Sequence, residues 1–111
     1  MVLSKNLAKE LTNTLNKPTN LLSIEALPSF ERDLKRLKKT KVDKNKLLKV
    51  IDDLANNKIL PPKYKDHQLK GKLKVFRECH IEDDWLLMYK KDKDKLILVL
   101  VRTGTHDDIL R

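Results

Sequence analysis

The chain is poor in the residues that staple, punctuate or anchor a fold. Its 111 residues include two glycines, four prolines, one cysteine and one tryptophan, and aromatics make up 5% of it. Two glycines cannot build a glycine-rich phosphate cradle, and there is neither a P-loop nor a G-x-G-x-x-G fingerprint. One cysteine cannot close an internal disulfide, which fits a reducing compartment. The longest apolar run, Leu96 to Val101, is far short of the ~20 residues of a membrane span. The first residues, MVLSKNLAKEL, carry charges where a secretory leader has an apolar stretch. The expectation is a cytoplasmic protein with no membrane association.

Acidic residues are in the minority. There are 25 Lys+Arg against 16 Asp+Glu, a formal charge of +9. Hydrophobic content is an ordinary 40%, enough for one core in a chain of this length. Such a charge favours an anionic partner, whether RNA, DNA or an acidic protein, without choosing among them.

Hydrophobic spacing divides the chain at about residue 20. Leu3, Leu7, Leu11 and Leu15 recur every four residues, with Ser4 as a helix cap and Pro18 as a stop. This stripe drifts ~40° per step around a helix, so residues 1–20 read as one amphipathic helical extension and residues 21–111 as the domain proper. The domain opens with a short strand, Leu21 to Leu27, closed by Pro28. Ser29 reads as the N-cap of a helix with Glu31 and Asp33 in its first turn and Phe30, Leu34 and Leu37 as its apolar stripe. Asp43 starts a second helix on Leu47, Val50, Ile51 and Leu54, which ends before Pro61-Pro62.

A basic loop follows, KYKDHQLKGKLK at 63–74, and then the period changes to two. Val75–Ile81, Trp85–Lys90 and Lys95–Arg102 read as three strands, the last apolar on both faces and therefore central and covered by the helices. Thr103-Gly104 breaks it, and Thr105 with Asp108 forms an S/T-x-x-D/E cap for a terminal turn. The order β-α-α-β-β-β is an α+β fold, a helical hairpin packed on a mostly antiparallel sheet.

All three histidines fall in the second half, each within two residues of a carboxylate: His67 by Asp66, His80 by Glu82, His106 by Asp107. They sit at ends of adjacent elements, as do Asp84 and Arg102, so one rim of the sheet can gather them. Lone histidines are common on surfaces; a cluster suits metal-independent RNA cleavage. There the 2′-hydroxyl must lose a proton, the leaving 5′-oxygen must gain one, and a cation must steady the phosphorane. Imidazole serves as acid or base near neutrality, and Arg102 can hold phosphate with two parallel hydrogen bonds. Trp85 offers a base-stacking face if exposed, and is a core aromatic otherwise. Zinc is not expected: there is no second cysteine, and the adjacent Cys79 and His80 of a strand point to opposite faces.

Three segments, KYKDHQLKG (63–71), FRECHIEDDWLLMYK (76–90) and RTGTH (102–106), resemble the YafQ branch of the RelE-like bacterial toxins. The resemblance runs over roughly residues 24–110 and implies the RelE-like fold. It implies an endoribonuclease that enters the ribosomal A site and cuts messenger RNA, without a cofactor. It also implies a cognate antitoxin, with operator DNA bound only through the antitoxin complex. Position by position it assigns acid/base, phosphate-holding and positioning roles to His67, His80, Asp84, Arg102 and His106. Trp85 and Leu110 take substrate-side positions, Leu110 standing where close relatives carry an aromatic. Lys65, Lys70, Lys72 and Lys74 are expected to hold phosphates around the site. Two rivals remain at this stage. One is a basic nucleic-acid binder without catalysis, which has no need of three imidazoles. The other is a same-fold toxin with a protein target, as in the ParE relatives, not expected to carry all three motifs.

Overall fold

The computed structural model describes residues 20–109. The amphipathic extension, most of it residues 1–19, and Leu110 lie outside the described residues. Strand β1 (Ser23–Ala26) leads into helices α1 (Pro28–Leu37) and α2 (Lys44–Ala55). Two single 3-10 turns then flank a two-residue strand, β2 (His67–Gln68). Strands β3 (Arg77–Glu82), β4 (Trp85–Asp92) and β5 (Ile97–Gly104) follow, and one helical turn, α3 (His106–Ile109), ends the described chain.

The sheet order is β1-β5-β4-β3-β2, with β1 parallel to β5 and every other pair antiparallel. Strand β5 lies inside the sheet, as its two apolar faces require, but the middle position belongs to β4, with β1 and β2 at the edges. On one face α1 contributes Phe30 and Leu34, and α2 contributes Leu47, Val50, Ile51 and Leu54, all buried. These meet Cys79 and Ile81 of β3, Trp85, Leu87 and Tyr89 of β4, and Leu98 and Leu100 of β5. Alternation sends Leu86 and Met88 to the other face, where Val101 and Ile109 join them. That second cluster is small, covered by α3, by Leu69 of the basic loop and by Phe76 just before β3.

Several expected boundaries move for identifiable reasons. Helix α1 starts at Pro28, with Leu27 in the cap position, because proline's fixed φ already suits the first helical residue. Ser29 is therefore inside the helix, and its hydroxyl donates to the Val101 carbonyl (2.6 Å), tying α1 to β5. The carboxylate of Asp33, expected to face the helix dipole, is buried instead. It accepts from Arg102 Nε (2.6 Å) and the Thr103 amide (3.0 Å). Strand β5 runs on through Thr103-Gly104, since Leu87 and Leu86 of β4 pair with them. The ladder skips Val101 between Leu100 and Arg102, and this bulge changes the phase of the alternation. Leu98 and Leu100 face the helices before it, and Thr103 does so after it. The Asp43 cap is present, its side chain accepting from the Asn45 amide (2.9 Å). So is the Thr105–Asp108 box, with both reciprocal hydrogen bonds at 3.2 Å.

Candidate functional site

Register builds the site before any side-chain contact does. Glu78 and His80 of β3 stand opposite Met88 and Leu86 of β4, which belong to the thinly covered face. Strand β2 then sets His67 opposite Glu78. The β3–β4 turn carries Asp84 to the start of α3, where its Oδ1 accepts from the His106 amide (3.2 Å) and from His106 Nδ1 (2.9 Å). All three histidines thereby reach one side of the sheet. The His80 and His106 rings lie edge to face with centroids 5.6 Å apart. His67 Nε2 is 3.7 Å from Glu78 Oε1.

The three rings share one tethering pattern. His67 Nδ1 is 2.6 Å from the Lys65 carbonyl, and His80 Nδ1 is 3.2 Å from the Asp83 carbonyl. Carbonyl oxygens only accept, so both nitrogens donate, as His106 Nδ1 does to the Asp84 carboxylate. In the neutral rings this leaves each Nε2 with its lone pair. The two N–H groups of His106 also hold the Asp84 carboxyl below its usual range. At the middle is a group that sequence reasoning missed. Glu78 is 2% exposed and its Oε2 makes no hydrogen bond. The signal was present: in E-C-H, Glu78 lies two residues before His80, hence on the same face of a strand.

The carboxylates nearest in sequence are not the histidines' partners. Asp66 turns the other way and accepts from Tyr89 Oη (2.5 Å) and Arg77 (3.2 Å), while Glu82 pairs with Lys46. Cys79 faces the helices, and burial pushes its thiol well up, so it is no nucleophile.

Two expected roles are corrected. Trp85 is buried and its Nε1 donates to Thr103 Oγ1 (3.0 Å), so no ring face is left for a nucleobase. Arg102 is not a free phosphate holder. Its Nε and Nη2 grip both oxygens of Asp33 (2.6 and 3.1 Å), and Nη2 also donates to the Asp108 carbonyl (3.0 Å). The bidentate fork that suits phosphate is already filled by a buried carboxylate. The lysines divide. Lys65 shares a cleft of about 310 Å³ with His80, Tyr64 and Glu82. Lys74 lines a different depression with Arg77, Tyr89 and Asp66, and Lys70 and Lys72 are exposed on the loop.

Residues 22–111 match the sequence model of a family described as the bacterial toxin of type II toxin–antitoxin systems, YafQ. The chain belongs to the YafQ toxin family. The mRNA interferase toxin YafQ of Escherichia coli (strain K12) is 45% identical over 84 residues, 75% of this chain and 89% of that protein. Solved YafQ-type structures agree in fold. A metal-bound toxin from Helicobacter pylori is 49% identical with a TM-score of 0.75, covering 79% of this chain and 98% of that one. The E. coli DinJ–YafQ complex gives 41% identity and a TM-score of 0.73, covering 81% of this chain and 99% of that one. Among the described residues no helix is long and apolar enough to cross a membrane.

Proposed function

We propose that this chain is an mRNA interferase toxin that cuts messages during translation in the cytoplasm and is neutralised by a cognate antitoxin. The observation that carries this reading is the gathering of three imidazoles with tethered Nδ1 atoms around Glu78, on a chain of the YafQ family. E. coli YafQ is named an mRNA interferase and is solved in complex with DinJ, which supports both the activity and the partner.

In the proposed reaction the ribose 2′-oxygen attacks the adjacent phosphorus as one Nε2 takes its proton. The P–O5′ bond breaks as a second imidazole, protonated beforehand, delivers a proton to the departing oxygen. The products are a 2′,3′-cyclic phosphate and a 5′-hydroxyl. His80 and His106 form the acid/base pair, being 5.6 Å apart ring to ring. Asp84 holds the His106 tautomer and ring orientation. His67 and Glu78 form the floor beside them. With Arg102 engaged by Asp33, the cation beside the phosphorane is Lys65, which shares the cleft of His80. Lys70, Lys72 and Lys74 hold more distant phosphates, so ribosome affinity falls as salt rises. An acidic antitoxin would compete for this surface, and operator DNA would be bound through that complex.

The test is primer extension on a message being translated in a cell-free system, with wild-type protein and with His80→Ala. Cuts inside codons with wild type, lost in the variant, are expected. Intact messages with wild-type protein would overturn the reading.

A further inference from the structure

Single-stranded RNA is held by aromatic faces as well as by cations. With Trp85 in the core and Leu110 carrying no ring, neither expected position supplies such a face. The chain has two phenylalanines, two tyrosines and one tryptophan, and their burial narrows the choice. Phe30, Trp85 and Tyr89 are buried. Phe76 packs on the second apolar cluster and stands roughly 13 Å from His80 along the strand. Tyr64 differs. It is half-buried and shares the cleft of about 310 Å³ with His80, Lys46, Lys63, Lys65 and Glu82. We propose that the Tyr64 ring is a nucleobase subsite, on which a nucleotide next to the cut is held by stacking.

The ring is set in place before any ligand arrives. Pro61 and Pro62 lead into a single 3-10 turn that ends on Tyr64. It is closed by the Tyr64 amide on the Pro61 carbonyl and the Lys65 amide on the Pro62 carbonyl, both 3.0 Å. The side chain leans on the main core, so little freedom remains to be lost on binding. The Lys63 ammonium lies over the ring, 5.2 Å from its centroid. Lys63 is itself exposed, so that face meets a mobile cation and not a packed wall, and a base can take the cation's place. Lys65 then turns the chain with a φ of 49°, and its carbonyl reaches His67 Nδ1 (2.6 Å). One turn therefore presents Tyr64 and tethers His67. Strand β2 pairs with Arg77 and Glu78 only, so no described strand covers β3 on that side where the cleft passes His80.

The composition of the cleft names the ligand class. A free phosphate would use the lysines and not the ring; an apolar molecule would use the ring and not the lysines. A nucleotide uses both, its base on Tyr64 and its phosphates by Lys63 and Lys65. Every base has a π face, so stacking tolerates any sequence, and the subsite positions the strand without choosing the codon. The placement beside the cut rests on the ribonuclease reading; the binding of a base does not.

The experiment titrates the full chain with a 2′-O-methyl RNA trinucleotide, whose blocked 2′-oxygen cannot attack, and follows the tyrosine ring protons by nuclear magnetic resonance. Upfield shifts of the Tyr64 ring are expected, with the buried Tyr89 ring unmoved. Replacing one base at a time by an abasic ribose should weaken binding about tenfold at one position. The same replacement should cost nothing further in Tyr64→Leu, whereas Tyr64→Phe should behave as wild type. No ring shift at millimolar trinucleotide would overturn the subsite, and that reading needs no variant should Tyr64→Leu fold poorly. Equal abasic losses in wild type and Tyr64→Leu, or an effect abolished by Phe76→Leu instead, would also overturn it. In the translating system Tyr64→Leu should need about tenfold more protein for half-maximal cleavage, and Tyr64→Phe should not. A ring shift with unchanged cleavage by Tyr64→Leu would overturn the placement beside the cut. A ring shift with no cleavage by wild-type protein would overturn the ribonuclease reading and leave the subsite standing.

Discussion

The two faces of the sheet treat their polar groups in opposite ways. On the helix-covered side every named polar group is used up. Trp85 Nε1 meets Thr103 Oγ1, Tyr89 meets Asp66, and Asp66 meets Arg77. Burial, reinforced by Asp66, pushes the Tyr89 hydroxyl well up, so it stays a neutral donor. At the end of β5, Asp33 accepts from Arg102 and from the Thr103 amide. On the thinly covered side valences are left over: three Nε2 lone pairs and Glu78 Oε2. Satisfied groups fix a fold, whereas unsatisfied ones held at close quarters cost stability and are available for chemistry. The contrast separates Arg102 from the histidines although all belong to the same motifs.

Breaking the covered side should unfold the protein. Leu98 is fully buried between the helices and the sheet, and Leu98→Ala should cost about 2–5 kcal/mol by urea denaturation. A loss below ~1 kcal/mol would mean that this face is not the main core. Asp33→Ala comes next. It strands the Arg102 guanidinium and the Thr103 amide together. Arg102 keeps some contact with solvent, which limits the loss to about 2–3 kcal/mol. If cleavage by Asp33→Asn, which keeps the shape and removes the charge, survives while stability falls, Arg102 acts as a clamp and not as a phosphate ligand.

How far this contrast was legible in the sequence differs by face. Phe30, Leu34, Leu47, Val50, Ile51 and Leu54 announced the covered face because helical spacing of apolar residues has few other uses. The three histidines announced the other face through their motifs. What stayed hidden depends on tertiary pairing. Strand β2 is two residues long, too short to display a period, and exists because β3 offers it an edge. Asp33 at a helix start looks like a dipole partner until Arg102 arrives from 69 residues away. Trp85 beside Asp84 reads as one site, yet Asp84 ends the turn while Trp85 begins β4 and enters the core, where the bulge in β5 brings Thr103 round to accept its N–H. Glu78 is hidden because a carboxylate two residues from a histidine joins it only once both lie on one face of a strand.

The open face should respond in the reverse sense. His106 is exposed and contributes little packing, so His106→Ala should change stability by no more than about 0.5 kcal/mol. Its cleavage rate should fall by roughly 10²–10⁴-fold, the usual worth of a positioned acid or base. Wild-type cleavage by this variant would remove His106 from the acid/base pair and leave His67 and His80 to share the work.

The smallest expected effect is a pH dependence carried by Asp84. Its carboxyl is held below the ordinary carboxylate value in the folded chain, chiefly by the His106 ring N–H and then by the His106 amide. A depressed folded pKa means that the unfolded chain binds the proton more readily. The stabilisation is therefore complete above the unfolded value of about 3.9 and is lost as pH falls further, through the folded value. Asp84→Asn keeps an acceptor oxygen but cannot titrate. Paired denaturation curves should run parallel above about pH 5 and converge below about pH 4, with wild type the more stable at the higher pH. The difference will be small, because Asp84 is exposed and water screens it. Curves that stay parallel down to about pH 2 would mean that the Asp84–His106 contact does not persist in solution. His106 would then have no fixed tautomer, and the contrast between a satisfied and a poised face would have to rest on Glu78, His67 and His80 alone.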